Sequence, residues 1–268
     1  MGHWSQYEEP IDVRSATMAT RVILLPGGVM PAALAYGALL ESLGDDVEAV
    51  AKELELYAGA APPLDYSLDH EIDGILRTAQ DAGFERFHLV GYSGGGASSL
   101  AFAAAHPGRL ASLALLEPAW MGNDELSPQE AAVWSEFDRI ATLPAEQMMG
   151  AFVANQLAPG VEPPTPPPGP PPPWMATRPA GLRTFITAVR ASPLDLDRLR
   201  AFEQPVLFVL GAKSSPDYYG RMAQRASAIF PDYTLEIFDE RHHFDPPHRI
   251  EPERTAEILR SHWARAGA

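Results

Sequence analysis

The sequence Gly91-Tyr92-Ser93-Gly94-Gly95 sets a serine among glycines directly after the apolar run Phe87-His88-Leu89-Val90. It is a G-x-S-x-G string lying between an expected strand and an expected helix, and that context gives it mechanical meaning. A serine on a strained strand-to-helix turn needs neighbours without a Cβ, and the turn lifts its Oγ above the sheet edge. The helix N-terminus behind it favours negative charge that develops there. Ser93 is therefore the candidate nucleophile. The bland alternative is a packing turn whose serine caps the helix.

A serine hydroxyl is too basic to attack an ester unaided and requires a general base. His242 and His243 follow the last expected strand and precede the last expected helix, so an imidazole there can reach back over Ser93. By chemistry alone either fits; His248 is a third candidate beyond Pro246-Pro247. An acid must hold the imidazole in the right tautomer. Glu117, at the end of the run 110–116, competes for that role with Asp217, in the loop after 206–210.

An oxyanion hole needs two preorganised N–H donors. Gly94, next after the nucleophile, should supply one. Gly28, in the turn Pro26-Gly27-Gly28-Val29, should supply the other, with Val29 in reserve. Val29, Tyr92, Trp120 and Trp174 are expected to touch the substrate. His242, His243, Asp245 and His248 are also potential metal ligands, but adjacent histidines diverge and no second ligand cluster accompanies them, so no metal is expected.

The elements that must position these groups alternate. Strands are expected at 21–25, 47–50, 87–90, 110–116, 205–211 and 233–238, their continuous apolar runs typical of buried parallel strands. Helices are expected at 31–43 (with Leu34, Leu39, Leu40 and Leu43 on one side), 67–82, 97–105, 217–230 and 252–266. This rhythm is α/β, a mostly parallel doubly wound sheet. It breaks between 119 and 203, where only helical stretches occur, at 128–140, 145–157 and 180–189. That segment also holds nine prolines in the eleven residues 163–173, a tract expected to run as polyproline II. The expected organisation is an N-terminal segment 1–20, a core of 21–118 and 204–268, and a helical, proline-rich cap at 119–203.

The chain has 268 residues, 46% of them hydrophobic, enough for a sizeable core without staples. It has no cysteine, which excludes a thiol nucleophile, a Cys-ligated zinc and an iron–sulfur cluster and suits a reducing, cytoplasmic setting. Asp and Glu number 35 against 20 Lys and Arg, a net charge of −15 that repels polyanions and argues against nucleic acid. No apolar run approaches the ~20 residues needed to span a bilayer, so no membrane partner is expected. Met1-Gly2-His3-Trp4, followed by Glu8 and Glu9, lacks the basic and apolar regions of a signal peptide.

Over 21–118 and 204–265 the sequence resembles the α/β-hydrolase superfamily. Pro26-Gly27-Gly28 is similar to its His-Gly-x oxyanion turn, with proline in place of histidine. Gly91-Tyr92-Ser93-Gly94-Gly95 resembles its nucleophile elbow. Glu240-Arg241-His242-His243-Phe244 is similar to its histidine-bearing ending, and this aligns His243 with the catalytic base. The insertion falls where the family carries its cap. The family's usual acid position is occupied by Ser214; a minority branch, including some haloalkane dehalogenases, places the acid after the preceding core strand. Glu117, 24 residues beyond Ser93, has a similar spacing. The short N-terminal segment leaves at most an edge strand at 11–13.

The resemblance implies acyl transfer to water without a cofactor. The substrate would be a small, apolar ester, thioester or lactone, or a molecule with a carbon–carbon bond beside a carbonyl. Dehalogenases and epoxide hydrolases of this fold attack with aspartate, so Ser93 argues against both. The competing reading is a non-catalytic protein of the same fold that binds a small molecule or, through the proline tract, a partner domain.

Overall fold

The computed structural model describes residues 19–165 and 168–266, so the expected edge strand at 11–13 lies outside it. Six strands form one parallel sheet: β1 (Thr20–Leu25), β2 (Val47–Ala51), β3 (Phe87–Tyr92), β4 (Leu110–Leu116), β5 (Val206–Gly211) and β6 (Tyr233–Phe238). Their order is β2-β1-β3-β4-β5-β6. The central strands are buried on both faces, which is why their sequences are unbroken apolar runs rather than alternating ones. Ile23, Leu25, Leu89, Leu113, Leu115 and Phe208 point into one layer; Val22, Leu24, Val90, Ala114, Leu116 and Val209 point into the other.

The second layer is closed by α1 (Ala32–Leu43) and α10 (Pro252–Arg265), the first by α2 (Leu68–Asp81), α3 (Gly94–Ala105) and α8 (Arg221–Ile229). Ser67 caps α2, its Oγ accepting the Asp69 N–H at 3.3 Å. In α1 the buried stripe is Ala35, Tyr36, Leu39 and Leu43, whereas Leu34 is 56% exposed. The expected apolar face is thus displaced, because Tyr36 rather than Leu34 falls in phase with Leu39 and Leu43 at helical spacing.

Between β4 and β5 the chain inserts α4 (Pro128–Ala141), α5 (Ala145–Ala154), a 3₁₀ turn (Pro173–Thr177), α6 (Arg178–Ala191) and α7 (Leu196–Arg200). Ser127 starts α4 in a reciprocal cap, Oγ accepting Glu130 N–H at 3.2 Å and Glu130 Oε2 accepting Ser127 N–H at 2.8 Å. The described part of the proline tract up to Pro172 is neither helix nor strand, and Pro173 opens the 3₁₀ turn. Pro172 has φ −62° and ψ 151°, the polyproline II values, while Gly169 at φ +107° turns the chain.

The inserted segment is fastened to the core beyond β5. Leu157 forms an antiparallel bridge with Ser214, Ala158 N–H donates to Lys213 O at 3.0 Å, and Ser215 N–H donates to Gln156 O at 3.0 Å. On the other side Arg178 Nε donates to Val29 O at 2.7 Å.

Candidate active site

Ser93 links β3 to α3 at φ 52° and ψ −115°, a conformation few side chains adopt. The chain around it explains how this is held. Ser93 N–H donates to Leu116 O at 3.1 Å, Ala119 N–H to Ser93 O at 2.8 Å and Gly95 N–H to Pro26 O at 2.9 Å. A Cβ on Gly91 would lie 2.4 Å from Gly95 O, and one on Gly95 would lie 2.5 Å from Leu25 O. Only glycine lets these backbones approach so closely. Ser93 Oγ makes no capping bond to α3; it is turned to His243 instead.

Ser93, His243 and Glu117 form one line of hydrogen bonds. His243 Nε2 is 2.9 Å from Ser93 Oγ, and His243 Nδ1 is 2.9 Å from Glu117 Oε2. The second carboxylate oxygen, Oε1, accepts the Gly211 N–H at 2.8 Å. Glu117 leaves β4 at φ 46°, which turns its side chain across the C-terminal sheet edge. All three residues are at least 94% buried. Asp217 is exposed on the outer side of the turn at Pro216–Gly220 and takes no part in this line. His242 turns away, its Nδ1 accepting Phe244 N–H at 3.2 Å.

The imidazole of His243 is packed as well as bonded. The Tyr92 ring lies tilted against it at 4.9 Å between ring centroids, and the Tyr219 ring stacks on it at 4.5 Å. The Tyr92 hydroxyl donates to His243 O, and burial holds the hydroxyls of both tyrosines well above the ordinary phenol range. Beyond Tyr92 lies His248, 1% exposed, its ring tilted against those of Tyr92 and Tyr36 at 4.8 and 4.9 Å between centroids. Burial pulls its ring down to about 3, so it is neutral. Since His243 spends both nitrogens on protein partners and His248 lies behind Tyr92, the four loop residues weighed as metal ligands do not converge. Among the described residues no group of three His, Cys, Asp or Glu side chains does.

Gly28 and Gly94 are neighbours across the site: a Cβ on Gly94 would lie 3.4 Å from Gly28 N. Gly94 opens α3, so its N–H has no carbonyl one turn back to bind. The Gly28 turn is clamped from behind. Tyr57 OH donates to Gly28 O at 2.6 Å, and the Arg178 guanidinium lies 3.7 Å over the Tyr57 ring while bonding Val29 O.

Two cavities meet at Ser93. One, about 70 Å³, runs past Val29, Met30, Tyr92 and His248. The other, about 20 Å³, is walled by Trp134, Phe137, Phe152, Phe185 and Tyr218. Val29 and Tyr92 therefore line the space beside Ser93. Trp120 does not: it is fully buried, with Nε1 donating to Asn123 Oδ1 at 3.2 Å. Trp174 is also off both linings, placed 5.5 Å from the Arg178 guanidinium. Both tryptophans make their contacts within the inserted segment rather than line the space at Ser93. Tyr219, a neighbour of the imidazole, and Gln156, its partner in turn, are residues that no local sequence signal reveals.

The alpha/beta hydrolase family profile matches residues 22–258, and the chain belongs to that family. Solved structures share its fold at low identity. A thermophilic esterase from Thermogutta terrifontis superposes with a TM-score of 0.68 at 18% identity, over 93% of this chain and 91% of that one. Naproxen esterase from Bacillus subtilis gives 0.61 at 16%, over 91% and 84%. A meta-cleavage product hydrolase gives 0.62 at 16%, over 91% of each. A search of curated proteins finds no match. Among the described residues, no helix is long and apolar enough to cross a membrane.

Proposed function

We propose that this hydrolase-family protein is a serine hydrolase that cleaves a small, apolar ester, thioester or lactone through an acyl-enzyme. The observation that carries the reading is the Ser93–His243–Glu117 line, with 2.9 Å at each histidine nitrogen. Ser93 Oγ attacks the carbonyl carbon as its proton passes to His243 Nε2, and Glu117 stabilises the imidazolium. The oxyanion is met by the Gly28 and Gly94 N–H groups. His243 returns the proton to the leaving group, and water repeats the sequence to release the acid. Every proton is carried by side chains and water. The apolar walls and small volumes of the two cavities support a compact, uncharged substrate.

Intact-mass analysis after incubation with a small fluorophosphonate, on wild type and Ser93→Ala, tests this. One adduct on wild type and none on the variant is expected, followed by turnover of short p-nitrophenyl esters. A folded wild type that takes no adduct would discard the reading and favour a binding protein built on the same fold.

A further inference from the structure

Tyr219 Oη is 3.0 Å from His243 Nε2, the nitrogen that also faces Ser93 Oγ. The direction of its own proton is fixed by a second contact. Tyr219 OH lies 2.6 Å from Gln156 Oε1, while Gln156 Nε2 donates to Phe152 O at 2.8 Å. The amide therefore presents its oxygen to the phenol, and an amide oxygen only accepts. Tyr219 must donate to Gln156. Its lone pairs, and the electron-rich face of its ring at an interplanar angle of 16°, are what it offers to His243.

Such a neighbour discriminates between the two protonation states of the ring. A neutral Nε2 sets lone pair against lone pair. A protonated Nε2 finds an acceptor and a π face. We propose that Tyr219 is a positioning residue for the general base, with its proton committed to Gln156 so that its oxygen favours the imidazolium formed when Ser93 attacks. The inference rests on the serine-hydrolase reading above. No proton reaches Tyr219: the Ser93 proton moves to Nε2, then to the leaving group, and the phenol keeps its own.

The same contact makes the base answerable to the inserted segment. Gln156 follows α5, is 1% exposed, and is held by its backbone carbonyl to Ser215 N–H at 3.0 Å. When the segment is seated, the phenol proton is occupied. When Gln156 withdraws, the phenol is free to donate to Nε2 and to compete with the Ser93 hydroxyl.

The test is a cycle of Tyr219→Phe, Gln156→Leu and the double variant, assayed for kcat and KM on a short p-nitrophenyl ester. Tyr219→Phe keeps the stacked ring and should lower kcat about 10-fold with KM unchanged, as one lost hydrogen bond to a charged group would. Gln156→Leu keeps the backbone anchor but frees the phenol proton, and should lower kcat further than Tyr219→Phe. The double variant should return to the Tyr219→Phe level, because no phenol remains to misdirect. Melting curves and titration of fluorophosphonate-reactive serines on the same samples separate misfolding from chemistry. An unchanged kcat in correctly folded Tyr219→Phe, or losses that multiply in the double variant, would overturn the inference. An unlabelled, inactive wild type would remove the underlying reading before any variant is made.

Discussion

Gly211 N–H donates to Glu117 Oε1 at 2.8 Å, which leaves Oε2 to His243 Nδ1 at 2.9 Å. Each carboxylate oxygen thus faces one N–H donor. Glu117→Gln offers an acceptor to only one of them, and the other meets an amide NH₂. The expected result is a fall in kcat of about 10³- to 10⁴-fold, with kcat unchanged in Asp217→Asn. A large loss in the second variant alone would move the acid to Asp217.

The backbone at Ser93 reverses an ordinary ranking. At most positions glycine is less stable than alanine by about 0.5–1 kcal/mol. At φ 52° and ψ −115° the penalty falls on the residue with a Cβ. Ser93→Gly should therefore exceed Ser93→Ala in stability by about 1 kcal/mol in urea unfolding, although both lack the proposed nucleophile. The opposite order would show that the turn carries no strain.

The clamp behind Gly28 should be felt in turnover. Arg178→Lys loses the planar stack on Tyr57 and the bond to Val29 O, and Tyr57→Phe loses the bond to Gly28 O. Each is expected to lower kcat about 10-fold, the scale of a disturbed oxyanion donor at its mild end. A rise in KM alone would mean that the clamp seats α6 without shaping the turn.

Acid should weaken the fold through buried histidines. Burial pulls His248 down to about 3 and His88 and His262 down to about 4, all below the usual ~6.5 of an unfolded chain. As pH falls below that unfolded value, the unfolded chain binds protons that the folded one refuses. Stability is therefore lost with falling pH, by up to about 1.4 kcal/mol per pH unit for each ring. His262→Gln should flatten the slope of urea stability between pH 6.5 and about 4, isolating the histidine share from carboxylates titrating nearby. An identical slope in the variant would refute this account.

Much of the framework is legible because its causes are local. Unbroken apolar runs mark strands covered on both faces, and β1 and β4 match them within a residue. The glycines at 91 and 95 mark a turn where backbones touch. Glu117 is readable as the carboxylate at the end of β4 and His243 as a member of the histidine pair, but choosing His243 over His242 needed the family resemblance. Trp120 misleads for a physical reason: a large apolar residue beside a site is indistinguishable in sequence from one beneath it. The Tyr219 contact to His243 and its link to Gln156 are invisible, since Gln156 and Tyr219 lie 63 residues apart and meet only through the way the inserted segment folds back. Short elements such as α7 and α9 (Pro247–Ile250) hold too few turns to show a period.

Carrying the carboxylate on β4 has a further effect on the loop after β5. Ser93 and Glu117 each follow directly from paired central strands, in register at Tyr92 and Leu116, so their spacing is set by the sheet itself. With Glu117 as the proposed acid, residues 213–215 need not hold one, and they form the strip to which residues 156–158 are fastened. Variation in that strip would then act as a tuning of access, changing which molecules enter and how fast they leave, while the alignment of the reacting groups stays fixed.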